Sequence, residues 1–199
     1  MTTYSPARVR RRRLVAALVV AGVGLAGYHA LASPVATPAA LLPVPTVSTP
    51  APSHGTAGGA LPEGATPFDD FPGVAKLDDD LGAALREAAS AAAADGVTLH
   101  VNSGWRSHGY QRRLLREAVT QYGSEAEAAR WVATPRTSPH VAGEAVDIGP
   151  TDGWSWLSAH GAQFGLCQIY ANEPWHFELR PDGCPAQYAD PTQDPRMQA

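Results

Sequence analysis

The 199-residue sequence predicts an α+β fold: one domain with a small antiparallel sheet flanked by helices, behind an N-terminal membrane segment and a disordered linker. Three observations lead there. Helical spacing dominates the early part of the folding region and short period-two segments come late, without the regular alternation that a parallel sheet requires. About 130 residues remain after the proline-rich stretch, enough for one adequate core. Charge is divided unevenly: residues 1–62 hold five arginines and no carboxylate, because the first acidic residue is Glu63. The other 10 basic residues face 19 acidic ones, so residues 63–199 carry a net −9 within an overall −4. An acidic domain lacks the basic face that phosphate neutralisation needs, which excludes a nucleic-acid partner.

Residues 1–13 form a basic tail ending in Arg10 to Arg13, and the uncharged run Leu14–Gly27 continues to Leu31. A basic cluster before an apolar segment is retained in the cytoplasm while the downstream chain crosses the membrane. Residues 14–31 therefore read as a transmembrane anchor or a signal h-region. Ala30-Leu31-Ala32 has the small-x-small form of a cleavage site, so secretion after cleavage near Ala32 stays open. Either way the domain is extracytoplasmic. Residues 33–64 hold seven of the 18 prolines among Ala, Thr, Ser and Gly, a composition that reads as a solvated linker.

The domain is assigned to residues 67–199. Asp78-Asp79-Asp80 followed by Leu81, Leu85, Ala88 and Ala92 predicts a helix with acids in its first turn and a stop at Gly96. Val97 to Asn102 alternates as a strand. Helices are predicted over about 109–122, with Leu114, Leu115, Ala118 and Val119 as the apolar stripe, over 125–132 and over 154–164. Short strands are predicted at 145–148, 167–170 and 175–179. Cys167 and Cys184, 17 apart in an exported chain, predict a disulfide rather than two free thiols.

Three polar segments stand out. Ser103-Gly104-Trp105-Arg106-Ser107 follows the first strand. Ser138-Pro139-His140-Val141-Ala142-Gly143-Glu144-Ala145-Val146-Asp147 runs from a loop into a strand, and Glu173-Pro174-Trp175-His176-Phe177-Glu178 enters the last one. Alternation places Asp147 on the face opposite Val146 and Ile148. It places His176 and Glu178 opposite a core face of Trp175, Phe177 and Leu179. His140, Asp147 and His176 then supply two imidazoles and a carboxylate, the ligand number of a catalytic zinc with one position left for water. Each of these residues also has an ordinary structural explanation, and spacing alone does not choose. His29, His54, His100 and His160 are given no role.

Ser138-x-His140-x-x-Gly143-x-Ala145-x-Asp147 with Glu173-x-x-His176 resembles the signature of the zinc D-alanyl-D-alanine carboxypeptidases, which include VanY-type carboxypeptidases and VanX-type dipeptidases. Ser103-Gly104-Trp105-Arg106-Ser107 with Gln111 resembles that family's arginine motif, with Trp105 where Tyr is usual. The resemblance spans about residues 67–180 and implies a hedgehog-like, DD-peptidase-like fold with one zinc per chain held by His140, Asp147 and His176. It implies Glu173 as general base and Arg106 as the group steadying the scissile carbonyl or oxyanion, and it makes Ser138 and Gln111 substrate contacts. Glu178 is the rival base. The implied reaction is removal of the C-terminal D-alanine from peptidoglycan stem peptides by a monomer joined to the membrane through its N-terminal segment. Alternatives with the same site are an L,D-carboxypeptidase, a dipeptidase or an endopeptidase. A wall-binding module without catalysis is the alternative from another class.

Overall fold

The computed structural model describes residues 55–198; the N-terminal segment and the linker as far as residue 54 lie outside the described residues. Helices α1 (Pro72–Ala75) and α2 (Asp79–Ala94) precede strand β1 (His100–Ser103). Then come α3 (His108–Tyr122), α4 (Glu125–Ala128), α5 (Pro139–Ala142), β2 (Ala145–Gly149), α6 (Thr151–His160), β3 (Leu166–Gln168) and β4 (His176–Leu179). The four strands form one antiparallel sheet in the order β1-β2-β4-β3. No helix among the described residues is long and apolar enough to cross a membrane.

Helix α2 has local reasons to start and stop where it does. The Asp78 side chain accepts from the Asp80 and Leu81 amides, satisfying two donors that the helix leaves open. Gly96, at φ +79°, reverses the chain so that the Gly96 and Val97 amides return to the Ala93 and Ala92 carbonyls. Its buried face, Leu81, Leu85, Ala88 and Ala92, joins one core with Leu99 and Val101 of the β1 segment, Val146 and Ile148 of β2, Phe177 of β4, and Trp156 and Leu157 of α6. Each large aliphatic side chain buried there contributes about 1.5–3 kcal/mol. Val146 pairs with Phe177 across β2 and β4, so both point into this core. Their neighbours Asp147 and His176 pair with each other on the opposite face.

Several expectations are corrected. Residues 55–64 are not linker: the Ser107 amide donates to Gly58 and Leu61 packs on the core. Composition favoured solvation there, but backbone pairing and an apolar contact tie the segment down. The first strand starts at His100, since Val97 is taken up in the helix stop. Of the stripe on α3 only Ala118 is buried; Leu114, Leu115 and Val119 are half-buried because the helix lies at the edge of the domain. Helix α4 ends at Ala128 and gives way to turns. Helix α6 ends at His160, and a 3-10 turn, Gly161–Phe164, completes the predicted segment. Strand β3 stops at Gln168. Trp175 is 37% exposed and outside the core, because β4 begins one residue later and Trp175 belongs to the turn after Pro174. Cys167 and Cys184 are bonded, with Cα atoms 5.3 Å apart.

Candidate metal centre

Asp147 sits mid-sheet, paired with Ser103 on one side and His176 on the other. The register therefore brings residues from three segments to one point. His140 arrives from the single turn of α5, and its loop is stitched to the Arg106 loop by Arg106 N–H donating to His140 O at 3.0 Å. Gly104 lets the Arg106 loop lie directly against α1: a Cβ there would fall 2.1 Å from the Gly73 carbonyl oxygen.

The ring nitrogens have assigned duties. His140 Nδ1 donates to Gly104 O at 2.9 Å, which leaves Nε2 bare and 3.4 Å from Asp147 Oδ1. His176 Nε2 donates to Glu178 Oε1 at 3.2 Å, while Nδ1 lies 3.1 Å from the same Asp147 Oδ1. His140 Nε2, Asp147 Oδ1 and His176 Nδ1 thus converge, with ligand atoms all within 4.8 Å of one another. Each imidazole has its second nitrogen satisfied by an acceptor, the arrangement that fixes tautomer and ring orientation for a metal.

Electrostatics agree with that reading. Burial, and then Arg106, lower the His140 pKa, so this imidazole is neutral. Burial would raise the Asp147 pKa, but His140, His176 and Arg106 hold it well below the usual carboxylate range. Burial also works against charging His176, yet its hydrogen bonds to Asp147 and Glu178 raise it to about 9. A proton is thereby held where a cation would satisfy the same two atoms. The donor set suits zinc, being borderline nitrogen with one carboxylate oxygen.

Glu173 stands beside this point without joining it. Its Oε2 is 3.9 Å from His176 Nδ1, and its Oε1 is buried with no hydrogen-bond partner. Burial pushes its carboxyl up to about 7. Arg106 donates from Nη2 to Asp147 Oδ2 at 2.7 Å and from Nε to Ser103 Oγ at 2.7 Å. Gln111 is committed on both sides, accepting from Arg106 Nη1 at 3.3 Å and donating to Ala133 O at 2.9 Å, so it supports Arg106. Ser138 Oγ is buried and unpartnered. All seven residues line one cavity of about 330 Å³, whose outer wall includes Leu114, Trp131 and Trp175. Glu178 does not reach the cavity; it is fully buried behind His176.

Residues 74–182 match the family model VanY, D-alanyl-D-alanine carboxypeptidase. The chain belongs to that family. Every residue of the centre falls inside the matched stretch. A D-alanyl-D-alanine carboxypeptidase of Enterococcus faecalis (strain ATCC 700802 / V583) is 34% identical over 128 residues, 51% of this chain and 47% of that protein. The chain thus spans about half the length of that curated relative. Among solved structures, VanYB in complex with D-alanine-D-alanine is 31% identical, with a TM-score of 0.49 over 52% of this chain and 71% of the other. The LdcB LD-carboxypeptidase is 23% identical, with a TM-score of 0.50 over 62% and 68%, and shares the fold. A vancomycin-resistance D,D-pentapeptidase VanY variant in complex with Zn(II) is 31% identical, with a TM-score of 0.49 over 52% and 72%.

The structure brings together around one cavity His140, Asp147, His176, Glu173 and Arg106, the residues singled out in the sequence. Sequence reasoning missed Tyr170, Asp194 and Arg196, which stand behind His176 and its partner Glu178 and whose only sequence sign is that they are polar.

Proposed function

We propose that this protein is a zinc D,D-carboxypeptidase that removes the C-terminal D-alanine from peptidoglycan stem peptides outside the cytoplasmic membrane. The observation that carries the reading is the convergence of His140 Nε2, Asp147 Oδ1 and His176 Nδ1 beside the buried Glu173 carboxyl, whose Oε1 has no hydrogen-bond partner. Family membership and the 34% identical D-alanyl-D-alanine carboxypeptidase support it. Export is supported by the arginine cluster ahead of Leu14–Gly27, with Leu14–Leu31 either kept as an anchor or removed near Ala32, and by the disulfide.

His140, Asp147 and His176 would hold the metal. When bound, zinc supplies Lewis acidity at the scissile carbonyl and brings the pKa of a water toward ~7. Glu173 takes the proton from the attacking water as its oxygen bonds to the carbonyl carbon, and then delivers it to the departing D-alanine amine as the C–N bond breaks. A carboxyl raised to about 7 suits both halves of that transfer. The Arg106 guanidinium, pinned by Ser103 and Asp147 on the cavity wall, opposes negative charge developing on the carbonyl oxygen. The Ser138 hydroxyl remains available to the substrate's polar groups.

The test is mass spectrometry of defined muropeptides after incubation with the purified zinc-loaded protein. Loss of one alanine from a pentapeptide stem supports the reading. Loss only from a tetrapeptide, internal cleavage or no change overturns it in favour of an L,D-carboxypeptidase, an endopeptidase or a binding module respectively.

A further inference from the structure

Behind the metal centre lies a second layer of charge, completed by residues of the C-terminal segment. Glu178 is fully buried, and its Oε1 accepts the His176 Nε2 proton. Two arginines meet this carboxylate. Arg180 reaches Oε2 alone, whereas Arg196 grips both oxygens, from Nη1 to Oε2 at 2.8 Å and from Nη2 to Oε1 at 3.2 Å. Only Arg196 therefore touches the oxygen that orients His176. Its guanidinium is anchored in turn: Nε donates to both oxygens of Asp194 at 3.1 and 3.0 Å, and Nη2 to Asp194 Oδ2 at 2.6 Å. Tyr170 closes the group, its hydroxyl donating to Asp194 Oδ2 at 2.9 Å and its ring lying 5.2 Å from the His176 ring.

The tail reaches this position along a fixed path. Cys184 is bonded to Cys167, and Tyr188 exchanges backbone hydrogen bonds with Ile169 and Ala171. Asp190 is paired with Arg130 at 3.0 Å. Asp194 and Arg196 lie beyond residue 182, where the family match ends. The clamp on Glu178 is thus completed by two residues of this chain outside the matched stretch.

We propose that Arg196, anchored by Asp194, is a positioning residue for His176: by fixing both oxygens of Glu178 it sets the ring orientation and the Nε2–H tautomer that present Nδ1 to the metal. The inference rests on the metal reading given above. A forked, planar guanidinium is needed because it engages two carboxylate oxygens while being held from behind, which a lysine ammonium does not match.

The experiment uses the full chain, with zinc affinity measured by competition against a chromophoric chelator and geometry by the visible spectrum of the cobalt(II)-substituted protein. Arg196→Met weakens zinc about tenfold, within the range for residues supporting a ligand from behind, and shifts the cobalt bands. Arg196→Lys recovers part of the affinity. Arg130→Met, which loosens the same tail at Asp190 without touching Glu178, leaves zinc affinity within twofold of the parent. If Arg196→Met does not fold, Arg196→Lys reads the same quantity as a loss of a few fold. Zinc affinity and cobalt spectrum unchanged in the folded Arg196 variant overturn the proposal, as does an equal loss in Arg130→Met, which would make tail docking the cause. A parent chain that binds neither metal overturns the metal centre itself, a result distinct from failure of the clamp.

Discussion

Replacing Glu173 by Gln keeps the shape of the side chain and removes its ability to carry a proton. Its carboxyl is raised from 4.5 to about 7, by burial first, with Asp147 adding to the effect. Two consequences of opposite sign result. A raised carboxyl pKa means that the contribution of Glu173 to folded-state stability is greatest below pH 4.5 and is lost as pH rises through 7, because the buried charged form is disfavoured. The full cost, about 2.5 pK units at 1.36 kcal/mol each, is at most about 3 kcal/mol above pH 7. Glu173→Gln removes that cost, so the metal-free variant is more stable than the parent at pH 8 by up to ~3 kcal/mol and equal to it near pH 4. Turnover moves the other way, falling by about 10² to 10⁴, or ~3–5 kcal/mol of barrier, because the base is gone. Zinc content is unchanged, since Glu173 is outside the donor set. In the loaded parent, activity falls on the acid side with a midpoint between 4.5 and 7, because a nearby dication favours the carboxylate; the variant lacks that limb. The assays are urea unfolding at pH 4 and 8 and D-alanine release across the same range. A Glu173→Gln protein that turns over within threefold of the parent, or that is destabilised at pH 8, refutes the reasoning.

Other outcomes rest on the same geometry. Burial opposes charge on Glu178, yet hydrogen bonds from His176 and Arg196 hold its carboxyl down to about 2. Its contribution, about 3 kcal/mol at most, is therefore present above pH 4.5 and lost as pH falls toward 2; acid unfolding followed by circular dichroism shows this loss in the parent and not in Glu178→Gln. Gly104→Ala places a methyl against the Gly73 carbonyl and lowers stability by about 1–3 kcal/mol in thermal unfolding, with zinc affinity falling as the His140 loop shifts. Replacing Cys167 and Cys184 together by Ala costs roughly 3 kcal/mol by denaturant titration, from the restored freedom of the 17-residue separation; no change in midpoint would show that the bridge is not formed.

The parts that were legible in the sequence are those set by local rules. Asp78 and Gly96 bracket α2 because caps act within a few residues. Alternation along β2 and β4 put Asp147 and His176 on one face because side-chain direction in a strand has a period of two. Where a rule was carried past its element it failed, as at Trp175, one residue before β4 begins. Residues 55–64 have the composition of a linker, and their order comes from distant partners such as Ser107, whose amide donates to Gly58, and Trp105, whose carbonyl lies against Gly59, more than 35 residues away. Glu178 was expected beside His176 on a polar face. Its complete burial arises from a tail that returns to the sheet and leaves no periodic trace. The grouping of His140, Asp147 and His176 was therefore readable, and the scaffold that orients them was not.

The most direct test of the central claim is a titration of the metal-stripped chain with zinc, following D-alanine release from a pentapeptide stem. The account predicts no release without metal, a linear rise to one equivalent of zinc per chain and no further gain beyond it, with Asp147→Ala inactive throughout. Full activity in the stripped protein, or none at one equivalent, contradicts it.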